Sequence, residues 1–225
     1  YGAAVGGGET ALAGARWVTD STLPWLAEFD SQGHPRWIRD FTDDPYSLSF
    51  GTAWDLSFDG EGNVWVGLGV GRGPAAQRGV ELHTYDRTGE LLLFRELEGD
   101  AGFVAVEIDG QGSVFAGTTL AESTGSTGLA RYSEAGAELG STQFSESDSI
   151  ALAAWRGHEG VGVAIGGEHP SVGRVVGESA SWGVALDDLA GKQVIDIAVD
   201  ELGFSFVLFG DEWSGSAPEL LRLHP

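Results

Sequence analysis

The chain has no cysteine and no methionine, one lysine (Lys192) and one asparagine (Asn63). Without cysteine there is no disulfide framework, no thiolate metal site and no cysteine nucleophile. Positive charge is scarce as well: 12 Lys and Arg stand against 34 Asp and Glu, for a net charge of −22. Such a balance repels phosphate backbones and anionic membrane surfaces, so no nucleic-acid partner is expected. It attracts cations, Ca²⁺ among them. No apolar run approaches the roughly 20 residues of a membrane span, and none is expected. The opening YGAAVGGGET has neither Met nor an h-region, as a mature or trimmed segment would. One lysine beside eleven arginines and many Ala and Gly suggests a GC-rich bacterial source.

What the chain has in abundance is glycine, 36 residues, and a recurring phrase. FDGEGNVWVG at 58–67 returns as IDGQGSVFAG at 108–117. The pattern Asp-x-x-Gly followed by alternating apolar residues starts at Asp59, Asp109 and Asp200, with a degenerate copy at Gly157, so successive spacings are 50, 48 and 43 residues. A second phrase lies about half a period away, in WLAEFDSQGHPRWIRDF (25–41), LHTYDRTGELLLFREL (82–97) and LARYSEAGAELGSTQF (129–144), with a weaker copy at 174–189. Each reads as strand, tight turn, strand: Gly supplies the positive φ, and Asp or Ser caps the turn through its side-chain oxygen.

Two hairpins per repeat make four strands, here named A to D from the inside outward. Four strands per 43 to 50 residues is the blade of a β-propeller. The expected fold is therefore all-β, a β-propeller of four-stranded antiparallel blades, over 1–225 as a single domain or as a segment of a longer chain. A-strands are expected at 53–58, 103–108, 150–155 and 194–199. YGAAVGG reads as a B-strand and PELLRLHP as a C-strand. That gives 18 strands and five blades, the first and last incomplete.

The residues resemble bacterial β-propeller repeats of the SBBP type, patterned Asp-x-x-Gly-Asn-x-Tyr/Trp-x-x-Gly and then Asp-x-x-Gly-x-x-x-Trp. Asp59, Gly62, Asn63, Trp65 and Gly67 match the first half. Asp86 and Gly89 match the second, with Leu and Phe where Trp is usual. The resemblance implies an architecture. Related NHL-like, lactonase-like and lyase-like propellers include scaffolds and enzymes alike.

Candidate chemistry is thin. Asp59, Glu61 and Asn63, with Asp109, place oxygen ligands at alternate loop positions as a calcium loop does, but no bidentate Glu follows twelve residues on. Turn capping accounts for the same residues without metal. Asp100 and Asp148 stand nine residues before equivalent turn starts, at the expected channel rim, with Asp43, Asp44 and Asp188 as looser matches. Converging carboxylates there could hold a cation or raise one another's pKa. The five histidines scatter over different edges, which suits neither a His₃ zinc site nor a triad. GLGVGRG at 67–73 lacks the lysine and helix of a phosphate loop. Trp17 and Trp213, in loops after B-strands, are candidate aromatic platforms. Trp54, Trp65 and Trp155 read as core between blades.

The leading expectation is a non-catalytic, exported or surface-associated (extracellular or periplasmic) bacterial propeller acting as a binding or scaffold module for a protein or glycan. No cofactor is expected, Ca²⁺ being the one candidate. The alternatives are a metal-dependent lactonase- or lyase-like enzyme and a lectin-like module.

Overall fold

The computed structural model describes residues 2–18, 21–41, 48–72, 77–97, 104–119, 125–155, 158–177, 179–210 and 218–224. They form five sheets in which strands neighbour one another in chain order. The first holds β1 (Gly2–Gly6), β2 (Glu9–Val18), β3 (Ser21–Phe29) and β4 (Pro35–Asp40). The second holds β5 (Leu48–Phe58), β6 (Val64–Arg72), β7 (Gln77–Tyr85) and β8 (Leu91–Leu97). The third holds β9 (Val104–Ile108), β10 (Val114–Thr119), β11 (Ser126–Tyr132) and β12 (Glu138–Ser145). The fourth holds β13 (Ser147–Ala154), β14 (Val161–Gly167), β15 (Ser171–Val176) and β16 (Ser179–Ala185). The fifth holds β17 (Gln193–Val199), β18 (Ser205–Gly210) and β19 (Glu219–Leu223). These antiparallel meanders are five propeller blades.

The A-strands fall where the repeats put them. One expectation fails at the start of the chain. GAAVG is β1, the innermost strand of a complete blade, with Gly6 paired to Glu9 across a two-residue Gly7-Gly8 turn. That turn carries no Asp-x-x-Gly, so the hairpin left no repeat signature. The described strands number 19 in place of 18, and only the fifth sheet has three.

Six hairpins share one turn chemistry. In each Asp copy the leading residue's N–H bonds the carbonyl four residues on, and the Gly N–H returns to the leading carbonyl. Oδ1 of Asp30, Asp59, Asp86, Asp109 and Asp200 accepts the amides two and four residues ahead at 2.8–2.9 Å. Ser133 makes the second of these bonds with Oγ, to the Ala137 amide. Gly33, Gly62, Gly89, Gly112, Gly136 and Gly203 sit at φ between 77° and 85°, a conformation that costs any other residue steric strain.

Contacts divide the chain into two compact units, Tyr1–Val106 and Glu107–Pro225. In the first, Ala11, Ala13 and Leu26 pack with Ala53, Leu56, Val64, Val66, Leu68 and Tyr85, all buried, and Trp37, Phe58 and Leu91 close over them. In the second, Ala151, Ala153, Ala164 and Val172 pack with Val194, Ile197, Val207 and Phe209. Strands buried on both faces read as continuous apolar runs, as VGVAIGG does.

Candidate functional site

The carboxylates of the repeated turns are spent on N–H groups, chiefly those of their own turns. Asp59 uses both oxygens: Oδ1 holds the Glu61 and Asn63 amides, and Oδ2 accepts Asn63 Nδ2 at 2.8 Å and Trp65 Nε1 at 3.1 Å. Asp109 is buried, and its Oδ2 accepts the Gly160 amide of the next sheet at 2.8 Å. Asp30 and Asp86 are held below the usual carboxylate range, Asp30 first by the His34 amide and Asp86 first by the Thr88 hydroxyl. Among the described residues no three His, Asp or Glu side chains converge as metal ligands.

The rim candidates are dispersed or out of view. Asp43, Asp44, Asp100 and Trp213 lie outside the described residues. Asp148 is exposed on β13 and accepts the Ser149 hydroxyl at 3.1 Å. Asp188 is exposed in a 3-10 turn at Asp187–Leu189. Trp17 is 77% exposed, and it stands within β2 opposite Thr22, not in a loop, because β2 is ten residues long.

A different recurrence emerges from the strand registers. One position of each C-strand pairs with the second turn-proximal position of its B-strand, in the pairs Ala11–Glu28, Trp65–Thr84, Phe115–Arg131, Gly162–Arg174 and Phe206–Arg222. On its other side the same residue pairs with a D-strand position: Trp37, Leu93, Gly140 and Ser181 in the first four sheets. Residues paired this way point to one face of the sheet. In the third and fourth sheets that face looks toward the next blade.

In the first unit the gap is filled. The Trp37 indole donates Nε1–H to Glu28 Oε2 at 3.0 Å and lies 6.0 Å from the Tyr85 ring. Glu28 is fully buried, its Oε1 has no hydrogen-bond partner, and Arg36 stands 3.6 Å away while pairing with Glu9 at 2.6 Å. Burial, then the neighbouring Glu9 carboxylate, pushes Glu28 above the usual carboxylate range. Beside it Tyr85, His83 and Glu81 form a fully buried chain on alternate residues of β7, with His83 Nδ1 2.8 Å from the Tyr85 hydroxyl and Nε2 2.9 Å from Glu81.

In the second unit the gap is open. A cleft of about 350 Å³ between the fourth and fifth sheets is lined by Trp155, Arg174, Val184, Val199, Leu223 and His224, among others. A smaller one, about 300 Å³, sits between the third and fourth sheets against Phe115, Leu129, Arg131 and Val175. The Arg174 guanidinium lies 4.2 Å from the Trp155 ring, and His158 stacks on the same ring at 4.1 Å and 29°. Two groups that close to one ring must occupy opposite faces, so the indole is sandwiched. Arg131 lies 5.7 Å over Phe115, and Arg222 4.2 Å over Phe204, which also meets His224. Arg131 Nε, Arg174 Nε and Trp155 Nε1 are buried N–H donors with no acceptor. The arrangement offers apolar walls and donors in need of an acceptor.

None of the three arginines was singled out by sequence reasoning. The signal was there, because Glu28, Thr84 and Arg131 each stand two residues before the turn residue of their hairpin. The Trp position of the same hairpin carries Trp37, Leu93 and Gly140 in turn. Reading the loss of that Trp as a cleft requires knowing that its face is buried between blades.

No protein-family profile matches the chain, and no curated protein matches it in sequence. Its likenesses are to solved structures. A protein of unknown function from Bacteroides caccae aligns over 99% of this chain and 76% of its own, at 14% identity and a TM-score of 0.60. One of unknown function from Dyadobacter fermentans aligns over 95% and 71%, at 10% identity and 0.62. The Hadza microbial sialidase Hz136 aligns over 89% of this chain but 47% of its own, at 11% identity and 0.59. The WD40 repeats of RRP9 align over 96% and 74%, at 10% identity and 0.50. At such identities the likeness is one of fold, and the fold is the β-propeller.

Proposed function

We propose that this chain is a non-catalytic binding module of an exported or surface-associated bacterial protein, built from SBBP-type or NHL-like propeller repeats, whose ligand enters the clefts of the second unit. One observation carries the reading: the D-strand position filled by Trp37 in the first sheet is Gly140 beside the smaller cleft, Gly183 lines the larger one, and arginine on aromatic backs each. The recurrent aspartates support it, since their oxygens are committed to turn amides and are poorly placed to work on a substrate. The module needs no metal.

The experiment is to fill each cleft with a side chain. Wild type, Gly140→Trp and Gly183→Trp are screened against glycan arrays and displayed peptides, with circular dichroism as the fold control. Ligands selected by wild type should be lost by one or both folded variants. Ligands retained by both would sink the reading.

A second reading, carbohydrate recognition on an aromatic platform, is favoured by Trp17 at 77% exposure. It predicts glycan binding that Trp17→Ala abolishes and the cleft variants leave intact.

A further inference from the structure

We propose that the cleft between the fourth and fifth sheets binds a small aromatic carboxylate: a planar ring of phenyl to indole size with the acid group one or two bonds away. The inference rests on the binding-module reading above and names the ligand class of its larger cleft.

The first sheet holds an internal template. There the equivalent space is occupied by an indole, Trp37, whose N–H is met by the Glu28 carboxylate. The same register position in the fourth sheet is Arg174. The protein has thus exchanged an acceptor for a donor at the back of the site, and Gly183 lines the cleft with no side chain to fill it. An occupant that suits the fourth sheet must supply a ring and, in place of a donor, an acceptor. A carboxylate is the acceptor that gains most from a guanidinium, through short, charge-assisted hydrogen bonds.

The surroundings agree. The walls contributed by Val184, Val199 and Leu223 are apolar, as a ring requires. The volume of about 350 Å³ lies at the low end of small-molecule sites, which suits one or two rings and excludes a long chain. A chain of net charge −22 repels anions at long range. Two guanidinium groups nonetheless stand here: Arg174 lines the opening, with the Glu159 backbone carbonyl as an acceptor, and Arg222 stacks on Phe204 beside it.

The test uses 5-fluoroindole-3-acetate and its uncharged amide, observed by ¹⁹F NMR against the full chain at physiological ionic strength. The acid should show saturable broadening or shift with wild type and bind more tightly than the amide. Arg174→Gln, which removes the charge and keeps a polar donor on a shorter side chain, should weaken the acid roughly tenfold or more and leave the amide unchanged, since a hydrogen bond to a charged group is lost. Gly183→Trp, at a glycine that lines the cleft, should abolish both. No saturable binding by wild type at millimolar acid, or equal binding of acid and amide, would overturn the proposal. So would an Arg174→Gln variant that binds the acid as wild type does. If Gly183→Trp also loses the ligands found on arrays or display while wild type ignores the fluoroindole acid, this inference fails and the binding-module reading stands. If the selected ligands are indifferent to the filled clefts, both fail.

Discussion

Asp109 and Gly160 are 51 residues apart and joined directly: the carboxylate that caps one blade's turn also accepts the amide of the next blade's turn at 2.8 Å. The Gly110 amide reinforces the junction by donating to the His158 carbonyl at 3.0 Å. Elsewhere the same cap is local. Asp200 makes only the two amide bonds within its turn among its described contacts.

That difference predicts unequal costs for one substitution. Asp200→Ala should destabilise by about 1 kcal/mol, the usual value of a lost turn or cap bond. Asp109→Ala loses those bonds and also strands a buried amide, so about 3 kcal/mol is expected. Urea unfolding of both variants checks it, and equal midpoint shifts would contradict the interblade role.

Glu28 and the turn aspartates predict opposite pH limbs. Glu28 titrates high in the folded state, so its ionisation opposes folding: stability falls as pH rises from the unfolded value, about 4.3, through the folded one. Glu28→Gln removes that cost and keeps an acceptor for the Trp37 N–H. The variant should gain stability over wild type at pH 7 and lose the advantage near pH 4. A gain independent of pH would assign the effect to packing.

Asp30 and Asp86 titrate low, so their contribution is present above about pH 4 and is lost as pH falls through their folded values. Asp30→Asn with Asp86→Asn should therefore flatten the acid limb of the wild-type melting curve. Melts between pH 2 and 5, a range bracketing the free carboxylate value, decide the point.

Calcium and EDTA should leave the melting temperature unchanged. Asp59 already accepts four hydrogen bonds and Asp109 three, and a cation would have to displace them. A rise in melting temperature with Ca²⁺, paired with about one bound ion per chain by elemental analysis, would restore the calcium loop.

Trp37→Ala should cost about 3 kcal/mol or more, the range for deleting a large core aromatic. The ring packs on Tyr85 and against Gly89, where a Cβ would lie 2.9 Å from its Cγ. Thermal melts test it, and a loss below 1 kcal/mol would mean that the first sheet's gap collapses on its own.

The repeat made much of the fold legible in advance. Asp-x-x-Gly is a local signal, with cap, positive-φ glycine and flanking strands all within ten residues, so strand order and blade boundaries followed from it. β1 was misplaced because its Gly7-Gly8 turn achieves the same reversal without an aspartate. The site was less legible. The eye goes to Asp59 and Asp109 because acids in register suggest ligands, yet their lone pairs are taken by nearby amides. Arg131 and Arg174 are ordinary surface residues in a linear reading, and only strand register brings them onto aromatics between blades.

The self-capped turns also bear on how the chain acquires its structure. Six of the hairpins close through an oxygen supplied by the turn itself, over loops of a few residues, where closure costs little entropy. Each can form before its neighbours exist, so the earliest order is spread along the chain and carries almost no long-range information. The Asp109–Gly160 link and the buried Glu28 belong to a later stage, when finished hairpins meet face to face. Mutations in the turns should thus slow the first steps, while mutations between blades should hasten unfolding and leave refolding nearly as fast.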